Sequence, residues 1–405
     1  MKTLVSSVVN KTAVFDIHTH IYDANFGKLL LWGIDELLTY HYLVAEVFRV
    51  APITYEKFWT MSTKEQADYI WQKLFLERSP MSEACRGILT CIHALGFDPA
   101  ERNLNKYRAF FRDMKVSDYI DLVFSKANVS RVIMTNDPFD NHERSKWKKS
   151  MKRDDRFVAA LRIDKLLVDW YDACGTLSSW GYEVEPRLGN WTQREIRRFL
   201  NDWAKTMKPA YMAASLPPTF TYPEDSACGK IIENCILPVG KDLNLPFAMM
   251  IGVKKLVNPD LKLAGDSVGK ADISVIEKMC STHSENKFLV TMLSRENQHE
   301  LCVTARKFPN LMIFGCWWFL NNPSIIREMT SERIELLGLS MIPQHSDARV
   351  LDQLIYKWKH SREVIAEVLT EKYTDLDKIG WNIREEDIKR DVEILFGKMF
   401  MDFTV

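Results

Sequence analysis

Eight short apolar runs recur along the chain, and each of them ends in polar residues. Nearly every position within a run is apolar, whereas a strand with one face in water would alternate between apolar and polar residues. Such runs are typical of parallel strands buried on both faces. They are AVFDIHTH (13–20), VSRVIMTND (129–137), FVAALRID (157–164), AYMAASLP (210–217), PFAMMIGV (246–253), KFLVTMLS (287–294), LMIFGCWW (311–318) and SMIPQHSD (340–347). Helical spacing between the later runs predicts an α/β protein, a (β/α)8 TIM barrel.

Three parts of the chain depart from this regular alternation. Residues 165–209 are expected to contain an insertion, with WTQREIRRFLNDWAKTM as an amphipathic helix. Residues 21–128, which include KLLLWGIDELLTYHYLVAEVFRV, have mostly helical periodicity and predict a large helical insertion after strand 1, packed over one end of the barrel. Residues 351–405 predict C-terminal helices. We find no internal repeat, low-complexity tract or flexible linker, so residues 1–405 are expected to form a single barrel domain.

Charge and composition narrow the class of partner. Lys+Arg and Asp+Glu balance at 54 each, so no broad basic field predicts binding to nucleic acid or to an anionic membrane. No apolar run approaches the ~18 residues that a membrane helix needs. The first apolar stretch is interrupted by Ser6, Ser7, Asn10 and Lys11, which is a poor signal peptide. Eight cysteines without a CxxC pair are typical of reduced core residues. Together these features predict a cytoplasmic protein.

The polar ends of the first and last runs predict a metal site. Alternation along a strand directs His18 and His20 to the same side, and likewise His345 and Asp347. Strands 1 and 8 are neighbours in a closed barrel, so His18, His20 and Asp347 can converge on one divalent ion, with zinc expected. His345 is interpreted as a hydrogen-bonded neighbour rather than a ligand. The ends of strands 4, 5 and 6 offer no His, Glu or Lys, which argues against a second metal.

Other strand ends are cationic and aromatic. Arg162, Arg295 and Arg349 suit an anionic, hydroxyl-rich substrate, because a guanidinium binds a carboxylate in bidentate fashion. Trp317 and Trp318 can stack on a sugar, although structural tryptophans explain them equally well. Within the predicted insertion, TYHYL (39–43) contains His41 and Tyr42, for which a packed helix face is an equal alternative.

The chain resembles the uronate isomerases, a divergent branch of the amidohydrolase superfamily. The matching pieces follow the family's order: HTH, LLTYHYLVAEVFR, MTNDPFD, LRIDK, SREN, CWWF and SDAR. The resemblance implies a (β/α)8 barrel that interconverts D-glucuronate with D-fructuronate and D-galacturonate with D-tagaturonate. It places His18, His20 and Asp347 at the family's metal positions. The positions that match its substrate pocket are Tyr42, His41, Arg162, Trp318 and Arg349.

Two departures place the chain in a short, diverged subgroup. The better-known members have a histidine on strand 5, where this chain has Met250. They also have Lys and Arg after the His-Tyr pair, where this chain has Leu43 and Glu46.

The implied activity is that of an aldose–ketose isomerase (EC 5.3.1.12) acting in carbohydrate metabolism on a small hexuronate. It needs a base that moves a proton between C2 and C1, and donors for the developing oxyanion. Asp347 is expected as the base, with Arg349 polarising the adjacent oxygens. Tyr42 or His41 would shuttle protons at O1 or O2. A metal ion would position a substrate oxygen or carboxylate. Its coordination by Asp347 would compete with the role of this residue as the base.

Arg162 and Arg295 are both candidates for binding the substrate carboxylate, and the sequence does not separate them. Two rival functions stay open. One is a mononuclear metal-dependent hydrolase or decarboxylase of a carboxylated sugar or aromatic acid, and the other is a sugar-binding barrel without catalysis. The sequence does not choose between the uronates, and it leaves a homo-oligomer open.

Overall fold

Seven parallel strands form one curled sheet in the computed structural model, which describes residues 1–149 and 153–404. The order in the sheet is β1-β2-β3-β4-β5-β8-β9, and β6 pairs with β7 as a separate antiparallel ribbon. The first seven apolar runs each contain one strand of the large sheet, so these predictions are confirmed. The strands are β1 (Val14–Thr19), β2 (Val129–Asn136), β3 (Phe157–Arg162), β4 (Met212–Leu216), β5 (Phe247–Ile251), β6 (Val253–Lys254), β7 (Ser267–Val268), β8 (Phe288–Met292) and β9 (Leu311–Ile313).

The prediction of a regular eighth strand at 340–347 is wrong. Ile342 forms only an isolated parallel bridge with Phe314. Pro343 has no N–H to donate to a ladder, and Asp347 adopts a left-handed conformation with φ 49°, so a regular strand cannot continue. The 341–348 segment nevertheless lies between the two edges of the sheet. The Gly315 N–H donates to the Ile342 carbonyl at 2.8 Å, and the Asp347 N–H donates to the His18 carbonyl at 3.1 Å.

Helices occupy most of the remaining chain. The stretch 21–128, predicted to be helical, contains seven of them between β1 and β2. The α-helices are α1 (Lys2–Lys11), α2 (Ile34–Leu38), α3 (His41–Val50), α4 (Tyr55–Trp59), α5 (Thr63–Trp71), α6 (Glu83–Ala94), α7 (Leu104–Arg112), α8 (Val116–Ala127), α9 (Asn141–Trp147), α10 (Asp164–Val168), α11 (Trp170–Ser179), α12 (Asn190–Met207), α13 (Ala227–Ile231), α14 (Leu237–Asp242), α15 (Ser274–Thr282), α16 (Gln298–Ala305), α17 (Pro323–Leu337), α18 (Gln353–Lys378), α19 (Glu385–Glu393) and α20 (Met399–Thr404).

Shorter 3-10 and π turns lie at Ala24–Leu29, Gln72–Leu76, Pro99–Glu101, Ile232–Ile236, Pro259–Gly265, Arg295–Asn297, Trp318–Leu320 and Ile394–Lys398. Within residues 1–149 and 153–404, no helix has both the length and the apolar character required to cross a membrane.

Apolar side chains close the amino end of the sheet and leave its carboxyl end to polar groups. Phe400 of α20 packs edge-on against Phe15 and Tyr211, at ring-centroid distances of 5.6 and 6.2 Å. Both partners lie at the amino ends of their strands, and all three side chains are buried. The C-terminal helix therefore packs over this end, and the polar strand ends lie on the opposite, carboxyl side.

Gly315, just after β9, offers a test of the packing around the 341–348 segment. Its φ is +68°, and a Cβ there would lie 1.9 Å from Cδ2 of His345. Gly315→Ala should therefore lower the free energy of unfolding by about 2–4 kcal/mol, from backbone strain together with overpacking. Chemical denaturation measures the loss.

Gly338→Ala is the matched control. Gly338 also has positive φ, +61°, but a Cβ there would meet nothing within 4 Å. It should lose about 1 kcal/mol, from strain alone. Equal losses in the two variants would contradict the predicted clash with His345.

Candidate active site

A cleft of about 570 Å³ opens at the carboxyl end of the sheet. It collects side chains from the ends of β1, β3, β4 and β5, from the segment after β9, from the 341–348 segment and from α3. Its lining residues are His18, His20, Tyr40, His41, Arg162, Ser215, Met250, Val253, Lys255, Leu263, Trp317, Trp318, Asp347 and Arg349. Carboxyl ends of parallel strands are where α/β enzymes place their reacting groups.

His18, His20 and Asp347 form a compact cluster at the base of this cleft. The Asp347 Oδ1 lies 3.7 Å from Nε2 of His18 and 3.4 Å from Nε2 of His20. One potential ligand atom from each residue lies within 4.8 Å of the other two. Backbone hydrogen bonds from Asp347 to His18 and from His20 to Ala348 hold the two chain segments side by side. This arrangement brings together residues that are more than three hundred positions apart in the sequence.

A hydrogen-bond relay sets the tautomer of His18. The hydroxyl of Tyr211 donates to the Ile17 carbonyl at 2.8 Å, so it accepts from Nδ1 of His18 at 3.1 Å. The proton of the imidazole is therefore on Nδ1, and Nε2 keeps its lone pair. This Nε2 is buried and has no hydrogen-bond partner among the described residues. A nitrogen lone pair that faces a carboxylate from a buried position suits a metal ion rather than a proton.

The charge states of the cluster agree with this interpretation. Burial lowers the pKa of His18 well below its usual value, and burial also lowers the pKa of His20. Burial alone would raise the pKa of Asp347, but the hydrogen bond and charge of His20, together with His18 and Lys357, hold it below its usual value. Two neutral imidazoles and one ionised carboxylate are a suitable donor set for one divalent ion.

Two arginines supply positive charge to the cleft in different ways. Arg162 ends β3 and donates to both carboxylate oxygens of Asp164, at 2.7 and 3.1 Å. The charge of Asp164 raises the pKa of Arg162 above its usual value, and the Ser215 N–H also donates to Asp164. By contrast, the Arg349 guanidinium has no hydrogen bond or ion pair within the described parts of the chain. Arg162 is thus held in place, whereas Arg349 has all its donors available.

The structure separates His41 from Tyr42. His41 begins α3 and lines the cleft, and neither of its ring nitrogens has a hydrogen-bond partner in the described ranges. Burial, with a contribution from the charge of Arg349, lowers the pKa of His41 to about 3. Consecutive helical residues are rotated by about 100°. Tyr42 therefore faces a second, adjacent cavity, where its buried hydroxyl also lacks a partner within residues 1–149 and 153–404.

The two tryptophans both line the cleft. Trp318 adopts a positive φ of 45°, and its ring lies 5.6 Å from that of His41. It also stacks on Phe319, with 4.8 Å between ring centroids. Trp317 is 4% exposed, and its ring centroid lies 6.3 Å from that of Trp318. Trp318 therefore forms part of the wall that separates the cleft from the second cavity.

Arg295 and His345 do not join the cleft-lining residues. Arg295 has a side chain that is 56% exposed and pairs with Glu328 at 2.8 Å. His345 is buried with its ring centroid 5.1 Å from that of His18. Its interpretation as a hydrogen-bonded neighbour is wrong, because neither ring nitrogen has a hydrogen-bond partner among the residues described. It packs against the rings of His18 and Phe314 instead.

Sequence reasoning missed several lining residues. Tyr40 directly precedes His41 in the TYHYL segment, so the segment that indicated His41 could also have indicated Tyr40. Ser215 is in the predicted strand 4, but a serine there carries no distinctive pattern. Lys255 and Leu263 lie in the loop of the β6–β7 ribbon, which only the folded chain brings over the cleft.

A parallel α/β sheet whose carboxyl end gathers two arginines and a His-His-Asp cluster that could hold a metal ion has the arrangement typical of α/β enzymes. A solved uronate isomerase from Bacillus halodurans C-125 is 56% identical to the chain, covers 100% of it and 96% of its own length, and superposes with a TM-score of 0.99. The chain belongs to the uronate isomerase family. Uronate isomerases are aldose–ketose isomerases.

More distant structures share the fold. A uronate isomerase from Thermotoga maritima is 14% identical, with a TM-score of 0.81 over 100% of this chain and 98% of that one. A glucuronate isomerase from Caulobacter crescentus is 11% identical, with a TM-score of 0.79 over 100% of this chain and 93% of that one. No family model and no curated protein matches the chain.

A buried carboxyl group lies close to the cationic wall of the cleft. Glu143 is 4% exposed and accepts hydrogen bonds from the Tyr22 hydroxyl at 2.7 Å, the Asn136 amide at 3.1 Å and the Asp137 N–H at 3.0 Å. Burial outweighs these bonds and raises the pKa of Glu143 from 4.5 to about 7. Asn136 is the last residue of β2, the strand beside β3, so this network lies at the carboxyl end of the sheet.

Glu143→Gln should change how stability depends on pH. A carboxyl with a raised pKa in the folded state contributes stability below about pH 4.5, and this contribution is lost as pH rises through about 7. Between pH 5 and pH 7, the wild-type free energy of unfolding should therefore fall relative to the variant by roughly 2 kcal/mol. Denaturation at several pH values measures it, with exposed Glu371→Gln as the control. Parallel pH profiles for wild type and Glu143→Gln would refute the raised pKa.

Proposed function

We propose that the chain interconverts aldo- and keto-hexuronates, D-glucuronate with D-fructuronate and D-galacturonate with D-tagaturonate. The observation that carries this proposal is the cleft itself, in which a candidate base, a candidate metal site and two arginines face the same space. The name of the 56% identical relative supports the same substrate class.

We propose one zinc ion at His18, His20 and Asp347. The support is the buried Nε2 of His18, whose tautomer is set by Tyr211 and which has no partner among the described residues. When bound, the ion would supply a positive charge that polarises a substrate oxygen. No further metal cluster of this kind lies within the described ranges, which agrees with one ion per chain.

Isomerisation of the open-chain sugar requires two balanced proton exchanges. The aldose loses the proton on C2 and gains one on O1, which gives an enediol. The enediol then loses the proton on O2 and gains one on C1, which gives the ketose. Asp347 is ionised and at the base of the cleft, so it is the group proposed to remove and return the carbon-bound proton.

The oxygens need their own partners. Arg349 would stabilise the negative charge that develops on them, because its guanidinium donors have no partner among the described residues. His41 lines the cleft as a neutral imidazole, which can both donate and accept a proton. Of the two candidates for the proton shuttle, it is therefore the one that faces the substrate. Tyr42 lies beside it, at a ring-centroid distance of 4.6 Å.

Arg162 is proposed to bind the substrate carboxylate. Asp164 fixes its guanidinium at the cleft, whereas Arg295 points away from it in an exposed ion pair. An arginine whose position is already fixed loses little conformational entropy when the substrate binds. Trp318 and the adjacent Trp317 would form the apolar wall against one face of the sugar.

The architecture proposed for this function is a single domain over residues 1–405. Hydrogen bonds on both sides of the 341–348 segment support the interpretation that it takes the place of the eighth strand in a (β/α)8 barrel. The position of His41 in the cleft supports residues 21–128 as a helical insertion over the carboxyl end, with 351–405 as C-terminal helices. A cytoplasmic location and a homo-oligomer stay predictions.

The direct test is incubation of the purified chain with a panel of hexuronates in D2O. Conversion of an aldohexuronate to the corresponding ketose, with deuterium entering only at the carbon that receives the proton, is the expected result. NMR reads the product and the site of deuteration together. Release of CO2 or net consumption of water would instead support the decarboxylase or hydrolase alternative, and the absence of any conversion would refute isomerase activity.

Asp347→Asn separates the base from the metal ligand. If Asp347 transfers the proton, kcat should fall by about 10²–10⁴-fold with the ion still bound, because the amide keeps the shape but loses the basic oxygen. Exchange of the C2 proton with solvent should fall in parallel. Metal analysis of the variant is the necessary companion measurement. Recovery of turnover when excess metal is added would show that Asp347 acts as a ligand only.

A further inference from the structure

A second cavity lies behind the wall formed by Trp318 and Tyr42. It has about 610 Å³ of open space, and its lining residues include Tyr42, Trp318, Glu46, Ser82 and Lys357. Tyr42 lines this space, and its hydroxyl oxygen is buried. The cavity thus reaches the catalytic wall from the side opposite the substrate cleft.

Lys357 of α18 is the unusual group in this cavity. The residue is only 3% exposed, and its Nζ donates to the Ser346 carbonyl at 2.6 Å. Its Nζ also lies 5.9 Å from the centre of the Tyr42 ring. Within residues 1–149 and 153–404, no carboxylate lies within 4.0 Å of this ammonium group. A buried charge without an ion-pair partner costs free energy, so a neutral residue would be expected if only packing mattered.

The hydrogen bond to Ser346 does not by itself explain the lysine. The Ser346 carbonyl already accepts a hydrogen bond from the Asn321 side-chain amide at 3.2 Å. The turn is also held by the Ser346 N–H, which donates to Asp16 at 3.1 Å. A neutral amide therefore satisfies the acceptor that Lys357 contacts, and what the lysine adds is positive charge.

That charge lies behind the residues to which we assign proton transfer. Asp347 directly follows Ser346. Burial lowers the pKa of Lys357 below its usual value, and the charge of Asp347, which does not touch the lysine, opposes that shift and favours the charged form. Lys357 does not line the substrate cleft, so it has no path to the substrate in this arrangement. A fixed cation behind reacting groups can stabilise negative charge that develops during a reaction without contributing to ground-state binding.

We propose that Lys357 is a positioning residue for the proposed isomerisation: it holds the Ser346–Asp347 turn from behind and keeps a positive charge beside Tyr42 and Asp347 while protons move in the cleft. Water in the second cavity completes the solvation of its remaining donors. The inference rests on the proposed function, and wild-type activity on a hexuronate tests that function separately.

The first test compares Lys357→Met with the wild type and with Lys359→Met, an exposed lysine on the same helix. Lys357→Met should lower kcat by about 100-fold, the loss typical of removing one electrostatic donor, while KM changes less than about threefold. The bound metal should stay at the wild-type level. With substrate deuterated at C2, the isotope effect on kcat should equal or exceed that of the wild type, because proton transfer itself has slowed.

The second test restores the charge without the covalent side chain. Lys357→Ala opens space in the cavity that propylammonium can fill, and its addition should recover at least about tenfold in kcat, whereas 1-propanol of similar size should not. Lys359→Met should behave as the wild type throughout.

Four results would overturn the inference. For Lys357→Met these are an unchanged kcat, a failure to fold, or a loss of activity explained by loss of the metal with an isotope effect that falls towards one. For Lys357→Ala it is equal rescue by 1-propanol and by propylammonium. A failure of Lys357→Met to fold would make the role of the lysine structural. If the wild type itself converts no hexuronate, the proposed function fails rather than the role of Lys357.

Discussion

The buried carboxylate of Asp16 joins the parts of the chain from which the site is made. It accepts hydrogen bonds from the Ser346 N–H at 3.1 Å and from the Trp358 indole at 2.8 Å. Burial raises its pKa to about 6, although the bonds from Ser346, Trp358 and His18 oppose that rise. The carboxylate thus connects β1, the 341–348 segment and α18. The distance between His18 and Asp347 depends on this connection, because the His18 N–H also donates to Asp16, at 3.5 Å, and Asp347 directly follows Ser346.

The same connection explains how charge is distributed around the cleft. Asp16 orients α18 through its hydrogen bond with Trp358. It also binds the N–H of Ser346, and the next residue, Asp347, lines the cleft. Lys357 extends from the same helix towards the back of the Ser346–Asp347 turn. Cations therefore surround Asp347 on several sides, with Arg349 in the cleft and Lys357 behind it. His20, His18 and Lys357 keep the Asp347 carboxylate ionised in this buried position, where desolvation alone would favour its protonated form.

Helices between β1 and β2 form the remaining wall of the cleft. They also determine which of their side chains face it. α3 presents His41 to the cleft and Tyr42 to the second cavity because neighbouring residues on a helix diverge. The β6–β7 ribbon reaches this helical region from the other side, since the Trp59 indole donates to the Asp260 carbonyl at 2.8 Å. The strands thus supply the charged groups, and the surrounding segments decide which space each group faces.

By itself, the sequence determined seven parallel strands, the mostly helical character of 21–128, and the pairing of His18 with His20 and Asp347. These features follow from local periodicity and from the adjacency of first and last strands in a closed sheet, which residue spacing encodes. Only the tertiary structure decided that 341–348 is irregular, that Arg295 faces away, that Tyr42 lies behind the wall, and that Lys357 joins the site. Each of these depends on contacts between distant segments: Pro343 and the conformation of Asp347 break the strand, Glu328 draws Arg295 outward, and α18 brings Lys357 against Ser346. Spacing along the chain carries no record of such contacts, because burial and long-range hydrogen bonds exist only once the chain is folded.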